Sequence, residues 1–327
     1  MTRKPAFLLL TAGSLIAIGF LFVSFWRVFN FDLTVPPQAE PNASRYRLVL
    51  ITRELDTPFW DKVKTGALRA AEENGASLEV WGSYGQNEDD FLKMMEIAIA
   101  SKVGGIIVQG LGTDEFNRLA TVKAAGNGIP VFTVANDVPM SESLRRTYIG
   151  SDHYEAGRLI GRQLLADMGE RGTVVLMVSE REEDYQRKRL RGILDVLAPY
   201  ADTIRTEIVA AGNTREKVVR TTNEVLNRVP DAHAFIAINA VNVGAMIQEI
   251  NKRRRVEDSY IYSFDDSAEA HALLRQGKID ALIVQSPEQM GEISVRLMIR
   301  WLTREQFPLD YNGYFTDIRV LRAEDVP

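Results

Sequence analysis

The sequence predicts an α/β fold in two halves, each built on a parallel β-sheet with helices on both faces. Two observations support this. From Tyr46 onward, short β-branched runs alternate with amphipathic stretches of helical period. Runs such as "GTVVLMV" and "HAFIAI" are continuously apolar, as parallel strands buried on both faces require. The alternation therefore predicts β–α–β units with right-handed crossovers.

The elements fall into two successive series, which join near Tyr148–Ser151. In the first series, the apolar runs and the amphipathic stretches between them predict strands at 46–52, 77–82, 104–109 and 130–134, and helices at 59–74, 87–101 and 114–126. Pro130 is acceptable there as the first residue of a strand. In the second series, the same patterns predict helices at 152–168, 185–198, 214–228, 241–252, 267–275 and 288–304, and strands at 172–178, 203–210, 233–238, 259–264, 280–285 and 314–321.

Composition excludes several classes of function. The chain has 327 residues, a formal charge of −5 and no basic block, so nothing points to nucleic acid. Cysteine is absent, which excludes disulfides, thiolate metal sites and a lipid-modified cysteine. The histidines His153, His233 and His271 share no ligand spacing. We therefore expect neither a metal nor another cofactor.

The N-terminus differs from the rest of the chain. Arg3 and Lys4 precede an uncharged apolar stretch, 5–26, that is long enough to span a bilayer. The stretch ends in bulky residues rather than in a small-x-small cleavage site, which favours an uncleaved signal anchor over residues 1–30. A cleaved signal peptide is the alternative. Residues 31–45 predict a linker, and the anchor would place the two α/β halves, residues 46–327, outside the cytoplasm.

Ligands of doubly wound sheets bind beyond the carboxyl ends of the strands. Here those positions are rich in polar groups, and they also carry the aromatic residues Phe59, Trp60, Tyr84 and Tyr185. Two aromatic residues side by side after the first strand either fill a core or stack on a flat, apolar ligand face.

Five motifs in order resemble the type I periplasmic sugar-binding proteins of the ribose-binding-like group. They are "TPFW", "YIGSDHYEAGRLIG", "RKRLRG", "YSFDD" and "VQSPEQMG". The resemblance implies two Rossmann-like lobes with parallel sheets, joined by a three-strand hinge, that close on a sugar. It also implies a first lobe of 46–150 and 286–313 and a second lobe of 151–285 and 314–327.

The resemblance implies a set of ligand-binding residues as well. Phe59 and Trp60 look like the aromatics that sandwich the sugar ring, and Arg189 looks like the guanidinium that holds its hydroxyls, with Arg187 as a second candidate. The remaining matches are polar: Asn136, Asp137, Asn239, Asp265 and Gln285. Alternative interpretations are a core position for one of the two rings, a solvated basic patch for the arginines, and helix capping for Asp265 and Gln285.

Two departures from the family pattern leave the identity of the sugar undetermined. Ala135 stands where many relatives have an acidic residue, and Ile238-Asn239 where the family usually shows Asn-Asp. The missing carboxylates are compatible with a different small polyol or with a ligand that is not a sugar.

The predicted signal anchor affects which type of membrane protein is expected as the partner. A binding domain tethered through a membrane helix is suited to signalling to a membrane sensor histidine kinase. The alternative is the receptor of a sugar importer of the ABC type, with its permease as partner. An enzyme is not expected, since the sequence has no Gly-x-Gly-x-x-Gly after the first strand, no phosphate-binding loop and no Ser-His-Asp order. A repressor core would need a basic helix-turn-helix where the apolar stretch stands.

Overall fold

The computed structural model describes Gly19 and residues 46–85, 87–179, 183–212, 214–238, 243–253, 258–264 and 267–326. The predicted anchor and linker, 1–45, lie outside the described residues apart from Gly19. Asn239 and Asp265 lie outside them as well, so their predicted roles are untested. No helix of the described part is both long and apolar enough to cross a bilayer.

The first sheet has six parallel strands in the order β11-β5-β4-β3-β1-β2. They are β1 (Tyr46–Thr52), β2 (Ala76–Gly82), β3 (Gly105–Gln109), β4 (Val131–Val134), β5 (Thr147–Gly150) and β11 (Tyr314–Phe315). The helices of this half are α1 (Pro58–Glu73), α2 (Glu88–Ala100), α3 (Asp114–Arg118), α4 (Met140–Ser143) and α10 (Pro287–Leu302).

The second sheet also has six strands, in the order β12-β10-β9-β8-β6-β7. All its pairs are parallel except β10 with β12, which is antiparallel. The strands are β6 (Gly172–Ser179), β7 (Ile204–Ala211), β8 (Ala234–Ala237), β9 (Tyr260–Ser263), β10 (Ala281–Gln285) and β12 (Ile318–Leu321). The helices are α5 (His153–Met168), α6 (Asp184–Leu197), α7 (Arg215–Arg228), α8 (Val243–Arg253) and α9 (Ala268–Arg275).

The α/β architecture with two mostly parallel sheets is confirmed, and three local predictions are corrected. The predicted helix 114–126 is a short α-helix followed by a π-helical turn, Leu119–Ala124. The predicted strand 314–321 is two strands, one in each sheet, because the chain leaves β5 after Phe315 and joins β10 at Ile318. Strand β5 was not predicted; its four residues form a strand by pairing with β4.

Close helix packing at glycines sets the position of helix α6. A methyl group on Gly157 of α5 would overlap the backbone carbonyl of Arg189, and one on Gly192 of α6 would overlap the carbonyl of Tyr154. The two helices therefore meet backbone to backbone, and Arg189 lies on the contact face. The same kind of contact joins α1 and α10 at Gly66 and Gly291.

Candidate functional site

A cavity of about 850 Å³ is lined by residues that follow strands of both sheets. From the first half come the loop after β1, Gln109 at the end of β3 and Asn136 after β4. From the second half come Glu183, Phe264 and residues at the starts of helices α5 and α6. The volume is in the range of small-molecule sites, and its position at the carboxyl ends of the strands is where this fold class binds ligands.

The aromatic wall of the first lobe is formed by Phe59 and Trp60 at the start of α1. Thr57 caps that helix by accepting a hydrogen bond from the Trp60 amide at 3.4 Å, and Pro58 fits the first turn. Trp60 is only 3% exposed and packs in the core with Val63 and Met290, while Phe59 is half-buried. Both rings nevertheless line the cavity.

The two rings cannot form a sandwich with each other. Their centroids are 5.6 Å apart and their planes meet at 80°, an edge-to-face contact that leaves no room for a sugar between them. The sandwich as predicted therefore needs correction. A ligand ring stacked on this wall would find its second aromatic face on the other lobe, where Tyr185 and Phe264 line the same cavity.

Arg189 lies on that opposite wall and is only 4% exposed. Its guanidinium carbon lies 4.3 Å from the ring centroid of Phe264 and 4.9 Å from that of Tyr185. Its Nη1 donates to the carbonyl oxygen of Ile238 at 3.1 Å, while its buried Nε has no hydrogen-bond partner in the described part of the chain. A guanidinium fixed by two rings and one carbonyl is a preorganised donor.

Burial shifts the pKa values of the groups on this wall. It lowers the pKa of Arg189 to about 10, because desolvation disfavours the charged guanidinium. Burial raises the pKa of Tyr185 to about 12. Burial, with the positive charge of Arg189 nearby, also holds the pKa of His153 well below its usual value, so this imidazole is neutral. At neutral pH the buried groups of this wall thus include a charged Arg189 beside a neutral Tyr185 and a neutral His153.

Two glutamines add hydrogen-bonding groups to the cavity. The side-chain oxygen of Gln109 accepts from the Thr52 hydroxyl at 3.0 Å and the Arg53 amide at 2.9 Å. The side-chain oxygen of Gln285 accepts from the Ser151 hydroxyl at 2.9 Å. Because the oxygens are bound, each amide NH₂ is oriented as a donor for a ligand acceptor.

An ion pair crosses the cavity from one lobe to the other. Arg53, just after β1, donates from Nη2 to Oε1 of Glu183 at 2.6 Å. Asn136, just after β4, donates from Nδ2 to Oε2 of the same carboxylate at 2.9 Å. Glu183 precedes α6 of the second half, so two side chains of the first half, Arg53 and Asn136, bind one carboxylate of the second.

The structure brings five of the predicted site residues to the cavity and leaves two outside it. Phe59, Trp60, Asn136, Arg189 and Gln285 line the cavity. The Arg187 side chain is 57% exposed and pairs with Asp184 at the surface. Asp137 accepts from both Nε and Nη2 of the buried Arg145, at 2.5 and 2.7 Å, so its carboxylate is bound in a structural ion pair.

Several residues that line or support the site were not predicted. They are Arg53, Gln109, His153, Glu183, Gln186 and Phe264. Arg53, Gln109 and Phe264 directly follow or end a strand, so the rule that ligands bind beyond strand ends contained a signal for these three. Nothing local in the sequence pairs Arg53 with Glu183, because 130 positions separate them.

Three of the known proteins that this chain resembles illustrate the range of its relatives. The ribose import binding protein of Escherichia coli is 22% identical over 268 residues, which are 81% of this chain and 87% of the relative. The crystal structure of GanP, a glucose-galactose binding protein from Geobacillus stearothermophilus, is 32% identical, with a TM-score of 0.80 over 86% of this chain and 99% of that one. XylFII, solved in complex with LytSN, is 25% identical, with a TM-score of 0.74 and the same coverage.

The first two of these relatives are named as sugar-binding proteins, which agrees with the prediction that the chain is not an enzyme. The family's periplasmic location implies that this domain works outside the cytoplasm. The sequence model of the periplasmic binding protein domain matches residues 48–306, which is most of the chain. The resemblance read from the five motifs is therefore confirmed, and the chain belongs to the periplasmic binding protein family.

Proposed function

We propose that this protein captures a small, uncharged sugar in the cavity between its lobes and reports the closed form to a membrane sensor histidine kinase. The observation that carries the proposal is the position of Arg189 in that cavity: it is buried, it is stacked on Phe264, and among the described residues its Nε has no hydrogen-bond partner. A buried donor without a partner costs free energy, which a ligand hydroxyl would recover.

The chemistry of the two walls matches a pyranose or furanose. Sugar rings have C–H-rich faces, which bury apolar area against Phe59 and Trp60 on one side and against Tyr185 or Phe264 on the other. The hydroxyls at the ring edge then meet the donors of Arg189, Gln109 and Gln285. The relatives named for ribose, apiose, glucose and galactose support this class of ligand.

A thermal-shift screen followed by calorimetry tests the binding proposal. Purified protein is screened against pentoses, hexoses and polyols, because a ligand that binds only the folded state raises the melting temperature. We expect at least one neutral sugar to stabilise the protein and to bind with one-to-one stoichiometry. The absence of any shift across the panel would contradict the proposal.

The link to signalling rests on the apolar stretch 5–26 and on the relatives. A membrane helix would hold the binding domain beside a membrane partner, and lobe closure would change the surface that the partner contacts. The likeness to XylFII, which was solved as a complex with a second protein, supports a protein partner. In a fusion of residues 1–30 to a reporter, we expect the reporter to stay in the membrane fraction after an alkaline wash.

The second candidate function is that of a receptor for a sugar importer of the ABC type. The names of the curated relatives, which are import binding proteins, favour it. Mass spectrometry of the mature protein separates the two functions. A mature N-terminus near residue 35 would favour the importer, and an intact N-terminus would favour the tethered sensor.

A further inference from the structure

His153 is the first residue of helix α5 and lies on the wall of the cavity. Asp152 caps this helix by accepting a hydrogen bond from the Glu155 amide at 3.0 Å, which fixes the backbone at the helix start. His153 is only 4% exposed and is among the residues that line the cavity. Its imidazole packs against the Tyr185 ring, with the ring centroids 5.6 Å apart. The two ring nitrogens therefore have fixed surroundings.

The contacts of Nε2 determine which nitrogen of His153 carries the proton. Nε2 lies 3.0 Å from the carbonyl oxygen of Ala135, which only accepts hydrogen bonds. The ring is neutral and so has a single N–H, because burial holds the pKa of His153 well below its usual value. That hydrogen is on Nε2, since an unprotonated nitrogen at this distance would face the lone pairs of the carbonyl oxygen. Nδ1 is therefore an unprotonated acceptor.

Nδ1 of His153 is a buried acceptor without a donor. No group in the part of the chain that the structure describes makes a hydrogen bond with it. A buried polar atom without a partner costs free energy, and the great majority of such atoms in proteins are paired. The nearby Tyr148 hydroxyl does not supply the donor, because it lies 3.3 Å from the other ring nitrogen, Nε2. A ligand in the cavity can supply the missing donor.

Arg189 is the complementary case on the same wall. Its Nε–H is a buried donor that has no partner among the described residues, and its guanidinium carbon lies 4.9 Å from the centroid of the Tyr185 ring. The unpaired donor and the unpaired acceptor thus belong to two residues that pack on one aromatic ring. A hydroxyl group both donates and accepts, so a polyhydroxylated ligand can pair with both atoms. An ether, keto or carboxylate oxygen can pair with Arg189 alone.

We propose that Nδ1 of His153 accepts a hydrogen bond from a hydroxyl of the bound sugar, which makes His153 a specificity-determining residue that selects a hydroxyl over an acceptor-only oxygen at this point of the ligand. The role of His153 rests on the proposed function, because it assigns a contact within the same cavity. It also gives a physical account of Ala135, which stands where many relatives have an acidic residue. The neighbouring imidazole supplies a neutral acceptor where the alanine side chain supplies none.

Two amide substitutions separate the roles of the two nitrogens. In His153→Asn, the amide lies at the position of Nδ1, so its oxygen still accepts there, while the bond to Ala135 is lost. In His153→Gln, the amide extends to the position of Nε2, so it still donates to Ala135, while the acceptor at Nδ1 is lost. His233→Gln is the matched control, because His233 is exposed and lies just before β8, at the edge of the sheet opposite the cavity.

Calorimetric titrations with D-ribose, D-glucose and D-galactose compare the three variants with the parent protein. For a sugar that binds the parent, we expect His153→Gln to bind about tenfold more weakly or worse, because a sugar donor loses its buried acceptor. His153→Asn should stay within about threefold of the parent, since its acceptor is kept, and His233→Gln should match the parent. The opposite order, with His153→Gln binding like the parent and His153→Asn binding weakly, would assign the effect to the Ala135 bond and overturn the proposal.

Monodeoxy analogues of the sugar that binds keep the proposal testable if both variants at position 153 bind weakly. One analogue should bind the parent about tenfold more weakly than the sugar does, while His153→Gln should bind the two with equal affinity, because the hydroxyl and its acceptor form one coupled pair. An equal loss in both proteins for every analogue would overturn the direct contact.

The outcomes for the parent protein separate this role from the proposed function. A parent that binds none of the three sugars would contradict the proposed function and, with it, the role of His153. A parent that binds one of them, with His153→Gln binding it equally well, would overturn the role of His153 alone.

Discussion

Replacing Trp60 should affect both stability and binding, while replacing Phe59 should affect mainly binding. Trp60 is 3% exposed and packs in the core of the first lobe, so Trp60→Ala deletes an almost fully buried indole. Such deletions cost about 3–5 kcal/mol of the free energy of unfolding, from lost apolar burial and the cavity left behind. Phe59 is half-buried, and its ring lines the cavity.

Urea unfolding and calorimetry of the same variants separate the two effects. At a slope of about 3 kcal/mol per M, Trp60→Ala should lower the urea midpoint by about 1 M or more. Phe59→Ala should lower the midpoint by less than half of that and weaken sugar binding about tenfold or more, since it removes one stacking face. Equal urea midpoints for Trp60→Ala and the parent would refute the assignment of Trp60 to the core.

Three further predictions follow from the second lobe. Arg189→Met should preserve stacking on Phe264 but weaken sugar binding at least tenfold in calorimetry, because the buried donor is lost; unchanged affinity would remove Arg189 from the site. Gly157→Ala should push α6 away from α5 and lower both melting temperature and sugar affinity, whereas Gly126→Ala, at an exposed helical position with open space around it, should lower neither. Burial lowers the pKa of His153, so the folded protein loses stability as the pH falls below 6.5, the usual pKa of a histidine, where the unfolded chain takes up a proton that the buried imidazole does not. Below that pH, the free energy of unfolding should fall by up to about 1.4 kcal/mol per pH unit more in the parent than in His153→Gln. Parallel pH profiles of the two proteins would contradict the buried, neutral state of His153.

The strands were predictable because the apolar residues of each strand themselves indicate that it is buried. Parallel strands covered on both faces must be apolar at nearly every position, and the nine strands predicted between 46 and 285 match the observed bounds within one residue. The exceptions are elements whose identity depends on distant partners. Thr147–Gly150 is a strand because it pairs with Val131–Val134, and 314–321 divides because its two ends pair with different sheets.

The candidate site was predictable only in part, for a related reason. The motif "TPFW" predicts that the rings of Phe59 and Trp60 lie at a helix start, and in the structure both rings line the cavity. The sequence left Arg187 as a second candidate beside Arg189. In the structure the backbone contact of α6 with Gly157 of α5 places Arg189 on the buried side of the helix and leaves Arg187 exposed. The Arg53–Glu183 ion pair forms between the two lobes, and the hydrophobic periodicity of the sequence, which predicts individual helices and strands, does not predict such a contact.

The most direct test of the sugar site is a calorimetric titration of the purified protein and its Arg189→Met variant with the sugar that gives the largest thermal shift. We expect one-to-one binding by the parent and at least a tenfold loss of affinity in the variant. Binding of equal strength by both proteins, or no binding by the parent to any neutral sugar, would contradict the claim that this cavity is a sugar site.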